Sequence, residues 1–589
     1  MSEKKIPRPE YPRPQMKRSD WINLNGEWDY STDRGMSGGE RGLPGGDNFD
    51  EKIIVPFCRE SELSGIGDKD FCSCAWYKRI VTLPTDWQGK RIKLHIGACD
   101  FKTEVWVNGN YIGEHRGGYV SFAFEITKAL SEGDNVIVIR AEDDTRSQRQ
   151  ASGKQSMTYA SAGWHYTRTT GIWQTVWLEC LPQNYIEKTK FYPHIDSPAL
   201  YAEVYAADSN GMEVTAVVSY EGREVGRATR TLKCGVAKLN IHLSELHLWE
   251  VGNGRLYDIT LTMGEDKVES YFGMREVDCR NGIMYLNGKP IFQRLVLDQG
   301  FYPDGIYTAP TYEALKYDVD MSMNIGFNGA RLHQKVFEPL FLEYCDRRGY
   351  IVWGEHANWG MAHSGDATFA EFTMEWGEII ERDFNHPAII GWCPLNETTY
   401  DTDWRLTAKL AEITRAYDNT RLYIDASGWK HEEGITDIMD WHDYDQNPVT
   451  FKERYDALLG EGTVNAHSHF RGRDMVYNIK PTFVSEYGGT WWSNTQRSGG
   501  GYGGGVWSAG SQNAGWGYGK CPQSEEEFKY RFKGLTEALL FNPMMGGLCY
   551  TQLTDVEQEQ NGLYTYDRKL KFDAEFFKAV LSQKAKIEE

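Results

Sequence analysis

The sequence predicts two consecutive β-sandwiches, a jelly roll and then an immunoglobulin-like module, followed by a (β/α)8 barrel. Three observations carry this reading. Short runs of alternating apolar and polar residues dominate as far as residue 278. Beyond that point helix-period and strand-like segments take turns to the end of the chain. Two glutamates, Glu397 and Glu486, each close a short apolar run with loop-forming residues just after it. That is where barrel enzymes place their chemistry.

The first region, residues 1–181, reads as all-β. Ile92–Ile96 alternates, as does Val105–Gly113, in which Asn108-Gly109 supplies a tight turn. Val136–Arg140 and Gln174–Glu179 are further strands, and their spacing fits a two-sheet sandwich, most simply a jelly roll. Shorter alternating runs, such as Glu213–Val218 and Leu256–Leu261, fill residues 182–278 and fit a small immunoglobulin-like sandwich.

The third region, residues 279–589, has the length of a closed eight-stranded barrel. Leu315, Val319 and Met323 share one face of a predicted helix that precedes the strand-like Gly326–Arg331. A helix over Pro339–Arg348 and the apolar run Tyr350–Trp353 continue the alternation, which lasts to Gly547–Tyr550. The segment Trp491–Gly519 interrupts it with three-glycine runs and interleaved aromatics, Trp507 among them. Directly after Glu486, it reads as an aromatic lid over the pocket, with a flexible glycine-rich connector as the alternative.

Bulk properties narrow the function. A net charge of −20 argues against nucleic-acid or anionic-membrane partners, since nothing offsets phosphate repulsion. No apolar run is long enough to span a bilayer, and the first residues lack the core of a signal peptide. The 11 cysteines are scattered without a framework, which fits reduced thiols and a cytoplasmic location. His467-Ser468-His469 has the look of a metal pair, but no acidic cluster stands beside it, and a surface loop is the better reading. Neither a metal nor an organic cofactor is expected, because two carboxylates and water suffice for hydrolysing a glycosidic bond with retention.

With these residues in hand, the chain resembles glycoside hydrolase family 2, the β-galactosidase and β-glucuronidase family. The motifs are His386-Pro387-Ala388-Ile389-Ile390 leading to Asn396-Glu397, Ser485-Glu486-Tyr487-Gly488, and Gly326–Arg331 as the second barrel strand. The resemblance implies that Glu397 is the general acid/base and Glu486 the nucleophile. It also sets Arg331 beside the nucleophile, Tyr444 against it, and Asn396 on the sugar 2-hydroxyl. Proton donation near neutral pH requires a raised carboxyl pKa, for which Trp392, Pro394 and Leu395 offer an apolar setting. His442 beside Tyr444 and His333 beside Arg331 are further candidates for substrate contact, with satisfied core histidines as the alternative.

The sequence also departs from the family pattern. The His-Glu pair usual after the first barrel strand is absent from Arg294–Phe301, where Asp298 is expected to take over sugar contact. Where β-glucuronidases carry Asn-x-Lys, this chain has Glu559 and Asn561, and a glutamate repels a uronate unless a cation such as Lys430 or Arg497 reaches in. Asp298, Asp555, Glu557 and Gln558 could ring a neutral sugar. The expectation is therefore a retaining exo-glycosidase acting on a terminal neutral, β-galactoside-like sugar, self-associating as family members often do. A uronidase, a furanosidase, a transglycosylase and a binding protein without catalysis are the alternatives.

Overall fold

The structure is a computed structural model that describes residues 5–362, 366–399, 402–432, 434–459, 463–464, 475–476, 480–493 and 515–589. The first region folds as two facing antiparallel sheets. One has four strands, in the order Trp21–Asn23, Val176–Leu181, Arg91–Ile96, Phe122–Glu125. The other has six: Glu51–Val55, Gly26–Thr32, Cys74–Thr82, Asp134–Glu142, Lys102–Val107 and Asn110–Arg116. Their inward residues, among them Trp28, Tyr30, Leu94, Val105, Ile137, Ile139 and Leu178, form one core. The Asn108-Gly109 turn is built as its residues demand, with φ of 50° and 76°. A second sandwich follows, pairing a three-stranded sheet between Lys188 and His242 with a four-stranded one between Glu213 and Phe272. Period-2 alternation sends Val214, Ala216 and Val218 inward from one strand and Ile259 and Leu261 from the next.

Eight parallel strands then curl into a barrel: β1 (Gln293–Asp298), β2 (Gly329–Leu332), β3 (Ile351–Glu355), β4 (Ile389–Cys393), β5 (Leu422–Tyr423), β6 (Met439–Asp443), β7 (Thr482–Tyr487) and β8 (Gly547–Tyr550). Their order is 5-4-3-2-1-8-7-6. Residues on both faces are buried, which is why these strands read as short apolar runs rather than alternations. The seam between β5 and β6 is stitched by Asp437: its amide donates to the Tyr423 carbonyl at 2.8 Å, and its carboxylate accepts from the Tyr423 amide at 3.0 Å. The predicted helix with Leu315 and Val319 on its buried face runs Tyr312–Asn324, capped by the Thr311 hydroxyl.

Two anchors outside the chemistry set the site's position. His386, in the motif before β4, is buried with Nδ1 2.6 Å from Asp346, whose other oxygen accepts from the Ala388 amide at 2.8 Å. That pair fixes the entry of β4. The first sandwich is sewn to the barrel where the Ser152 and Gly153 amides donate to the Trp359 carbonyl at 2.8 and 3.0 Å. Gly153 has φ +55°, and a Cβ there would lie 2.3 Å from the Gln334 carbonyl oxygen, so only glycine permits this approach.

Candidate active site

Glu486 lies within β7, one residue before its end, whereas Glu397 comes four residues past the end of β4. Glu397 has φ +51°, a left-handed conformation that costs a non-glycine residue on the order of 1 kcal/mol or more. The bends around it are held on both sides. The Glu397 amide donates to the Ser427 carbonyl at 2.8 Å, and the Asn396 amide donates to Asn358 Oδ1 at 2.9 Å. A cavity of about 310 Å³ opens over these strand ends. Asn396, Glu397, His442, Tyr444, Glu486 and His333 all line it.

Glu486 is surrounded by donors. Arg331 Nη1 donates to its Oε1 at 3.2 Å, and the Tyr444 hydroxyl donates to Oε2. Burial alone would raise this carboxyl. The charge of His442 comes first, and with that of Arg331 and the Tyr444 bond it outweighs burial and holds the carboxyl at about 2. His333 itself is pushed well below its ordinary value by burial and by the Lys154 ammonium, so it is neutral and the charge on Glu486 is balanced by His442 and Arg331. Arg331 is also gripped by Glu355, at 2.6 Å from Nε and 3.2 Å from Nη2, and donates to Asn396 Oδ1 at 3.1 Å. The guanidinium thereby orients the Asn396 amide. Asn396 Nδ2 is buried at the cavity with no hydrogen-bond partner among the described residues, so a donor is left for a ligand hydroxyl.

His442 sits between the two glutamates, with Nδ1 2.7 Å from Glu397 Oε1 and Nε2 3.4 Å from Glu486 Oε1. Burial lowers its pKa, but Glu486 and the Glu397 hydrogen bond raise it overall. Ser427 Oγ donates to Asp440 Oδ2 at 2.7 Å, which leaves Ser427 to accept from His442 Nε2 at 3.0 Å. With Nε2 as donor, Nδ1 shares a single proton with Glu397. Acid/base atoms of Glu397, His442 and Glu486 lie within 4.8 Å of one another. Among the described residues this trio is also the one acid/histidine group compact enough to hold a metal ion.

Two candidates fall elsewhere. Asp298 is buried and caps the Gly300 amide at 2.8 Å, off the cavity. Its neighbour Gln299 lines the cavity instead, with Oε1 unpartnered among the described residues. Asp555 accepts from Lys571 Nζ at 2.7 Å and from the Gly562 amide at 2.9 Å, holding the loop after β8 rather than facing the cavity. Trp507 lies outside the described residues, as do Arg497 and the histidines 467 and 469. Trp392 and Leu395 belong to the barrel core, and the apolar wall near Glu397 is made by Trp359, Met361 and Trp429. Of the aromatic segment, Tyr518 stacks on Tyr444 at 3.4 Å between ring centroids and lines the cavity.

Besides Gln299, Trp359, Met361 and Trp429, residues to which the sequence did not point come from the first sandwich. Lys154, Trp164 and His165 complete the cavity wall. Tyr166 donates to Glu559 Oε2 at 2.6 Å, and Gln558 Nε2 donates to the Gly163 and His165 carbonyls at 2.6 and 2.9 Å. Lys430 is paired with Glu432 away from the cavity.

Sandwich, sandwich and barrel, with two carboxylates at the barrel's C-terminal face, define a multidomain protein of the barrel glycosidase type. The chain belongs to glycoside hydrolase family 2. Residues 67–182 match the family's "sugar binding domain" and 277–494 its "TIM barrel domain". A β-galactosidase of Thermoanaerobacter pseudethanolicus is 24% identical over 64% of this chain and 52% of its own length. A putative β-glucuronidase of Formosa agariphila is 26% identical over 56% of this chain and 41% of its own length. The chain thus spans about half the length of these curated relatives. A solved β-glucuronidase from Ruminococcus gnavus shares the fold at 18% identity with a TM-score of 0.80, over 97% of this chain and 99% of that one.

Proposed function

We propose that the protein is a retaining exo-glycosidase that releases a terminal, uncharged β-linked sugar through a covalent glycosyl-enzyme. The observation that carries this is the approach of the two carboxylates, with an oxygen of Glu397 within 4.8 Å of one of Glu486. Retaining enzymes hold their carboxyl groups about 5–5.5 Å apart, whereas inverting ones leave about 6.5–9.5 Å for a water. In the first step Glu486 attacks the anomeric carbon while the glycosidic C–O bond breaks and the leaving oxygen takes a proton from Glu397. Water then attacks the same carbon, Glu397 takes its proton, and the Glu486 carboxylate departs. A cavity of about 310 Å³ is at the small end of ligand pockets, which favours one terminal residue over a chain.

The relatives include β-glucuronidases, and one feature, the Lys154 ammonium in the wall, would suit a uronate. Glu559 beside it weighs for the uncharged sugar. A panel of nitrophenyl glycosides, neutral and uronic, pyranose and furanose, tests the class and the sugar together. Glu486→Gln should abolish turnover and keep binding. Glu397→Ala should keep the first step on activated substrates and regain turnover with azide as nucleophile. Normal hydrolysis of unactivated glycosides by Glu397→Ala would remove the assignment.

A further inference from the structure

We propose that Lys154, from the first sandwich, and Glu559, from the loop after β8, form an opposed-charge pair that reads the sugar and makes the pocket select against an acidic one. This deepens the hydrolase reading above and rests on it. Both residues line the cavity and both are buried, at 6% and 2% exposure. Lys154 Nζ lies 4.2 Å from the centre of the Trp359 ring and has no hydrogen bond or ion pair among the described residues. Its three N–H donors are therefore open to a ligand.

The lysine is also fixed from behind. The Tyr166 amide donates to the Lys154 carbonyl at 2.7 Å, the preceding Gly153 is locked against Gln334, and the following Gln155 donates to Asp100 at 2.7 Å. Glu559 is equally fixed, by the Tyr166 hydroxyl at 2.6 Å on one oxygen and Asn561 Nδ2 at 3.0 Å on the other. Each of those oxygens keeps a second lone pair. The Lys154 charge is felt at Glu559, yet the two make no ion pair within 4.0 Å, so neither cancels the other by contact.

A sugar hydroxyl is both donor and acceptor, and can give its proton to Glu559 while accepting from Lys154. A uronate satisfies Lys154 but brings a carboxylate beside the Glu559 carboxyl, which burial already pushes up and which has Glu486 near it as well. Specificity of this kind depends on the repulsive partner as much as on the attractive one. Tyr166 ties the pair together, since its backbone holds the lysine and its hydroxyl holds the glutamate.

The test compares wild type, Glu559→Gln and Lys154→Met on one neutral nitrophenyl glycoside and the uronide of matching stereochemistry, with folding checked by thermal unfolding. Wild type is expected to prefer the neutral substrate. Glu559→Gln should shift the ratio of kcat/KM values toward the uronide by about tenfold or more, because like-charge repulsion is removed. Lys154→Met should lower neutral turnover by about tenfold or more without improving the uronide, losing one charge-assisted contact. A wild-type preference for the uronide, or a ratio unchanged in Glu559→Gln, overturns the proposal. Should Glu559→Gln fail to fold, the wild-type preference and Lys154→Met decide it: a neutral rate that Lys154→Met leaves intact also overturns it. No sugar released by wild type from any glycoside would instead be a failure of the hydrolase reading.

Discussion

Tyr444→Phe removes one phenolic hydroxyl, which serves two partners, Glu486 Oε2 and Thr551 Oγ1, the latter at 3.1 Å. The ring stays, so its stacking on Tyr518 is kept, while the hydroxyl that donates to Glu486 Oε2 is lost. A hydrogen bond to a charged group is worth about 1.5–3 kcal/mol, or roughly 10–150-fold in rate if it is realised in full in the transition state. The step it serves can be named. In the glycosyl-enzyme Glu486 is an ester and carries no charge; as water displaces it, charge returns to the oxygen that Tyr444 faces. The loss should therefore fall on the second step. With a good leaving group, kcat is expected to drop roughly 10–100-fold and KM to fall with it, and stopped-flow should show a burst of nitrophenol as the intermediate accumulates. A variant whose KM rises while kcat holds and no burst appears would refute this reasoning, because Tyr444 would then be serving substrate binding alone.

Two further outcomes follow from the same geometry. The Glu486 carboxyl is held at about 2 against an ordinary 4.5. A depressed carboxyl contributes stability that is present above pH 4.5 and is lost as pH falls through 2. The shift corresponds to about 3 kcal/mol, so Tm against pH should fall less steeply between 4.5 and 2 in Glu486→Gln than in wild type, and parallel curves would count against it. Gly153→Ala should weaken neutral-glycoside turnover by about tenfold or more with the catalytic pair intact, because a Cβ 2.3 Å from the Gln334 carbonyl must displace the Lys154 backbone. Unchanged kinetics in Gly153→Ala would show that the loop can yield without loss.

The proposed catalytic pair was legible in the sequence because each glutamate sits in a short motif at the end of an apolar run. Arg331, Asn396 and Tyr444 followed from resemblance, and the structure gathers them around Glu486. Asp298 was misread by one position. Side chains alternate across a strand, and at the end of β1 it is Gln299 that turns to the cavity while Asp298 turns back to cap Gly300. Asp555 was misread because an acidic residue near the site looks the same in sequence whether it meets sugar or, as here, Lys571. Lys154, Trp164 and His165 could not be found by periodicity at all, since they lie on irregular backbone far upstream and are brought to the site by the Ser152 and Gly153 bonds to Trp359 and by those of Gln558 to Gly163 and His165.

On the proposed reading, the seam at Trp359 houses bond cleavage and the choice of sugar in different parts of the chain. The barrel holds the reacting carboxylates, and part of the wall that would judge the ligand is lent by a sandwich sharing none of its strands. Changes between residues 150 and 166 could redirect the protein to another glycoside while every reacting group stays in place. A barrel expressed by itself would keep the reagents and lose much of its discrimination.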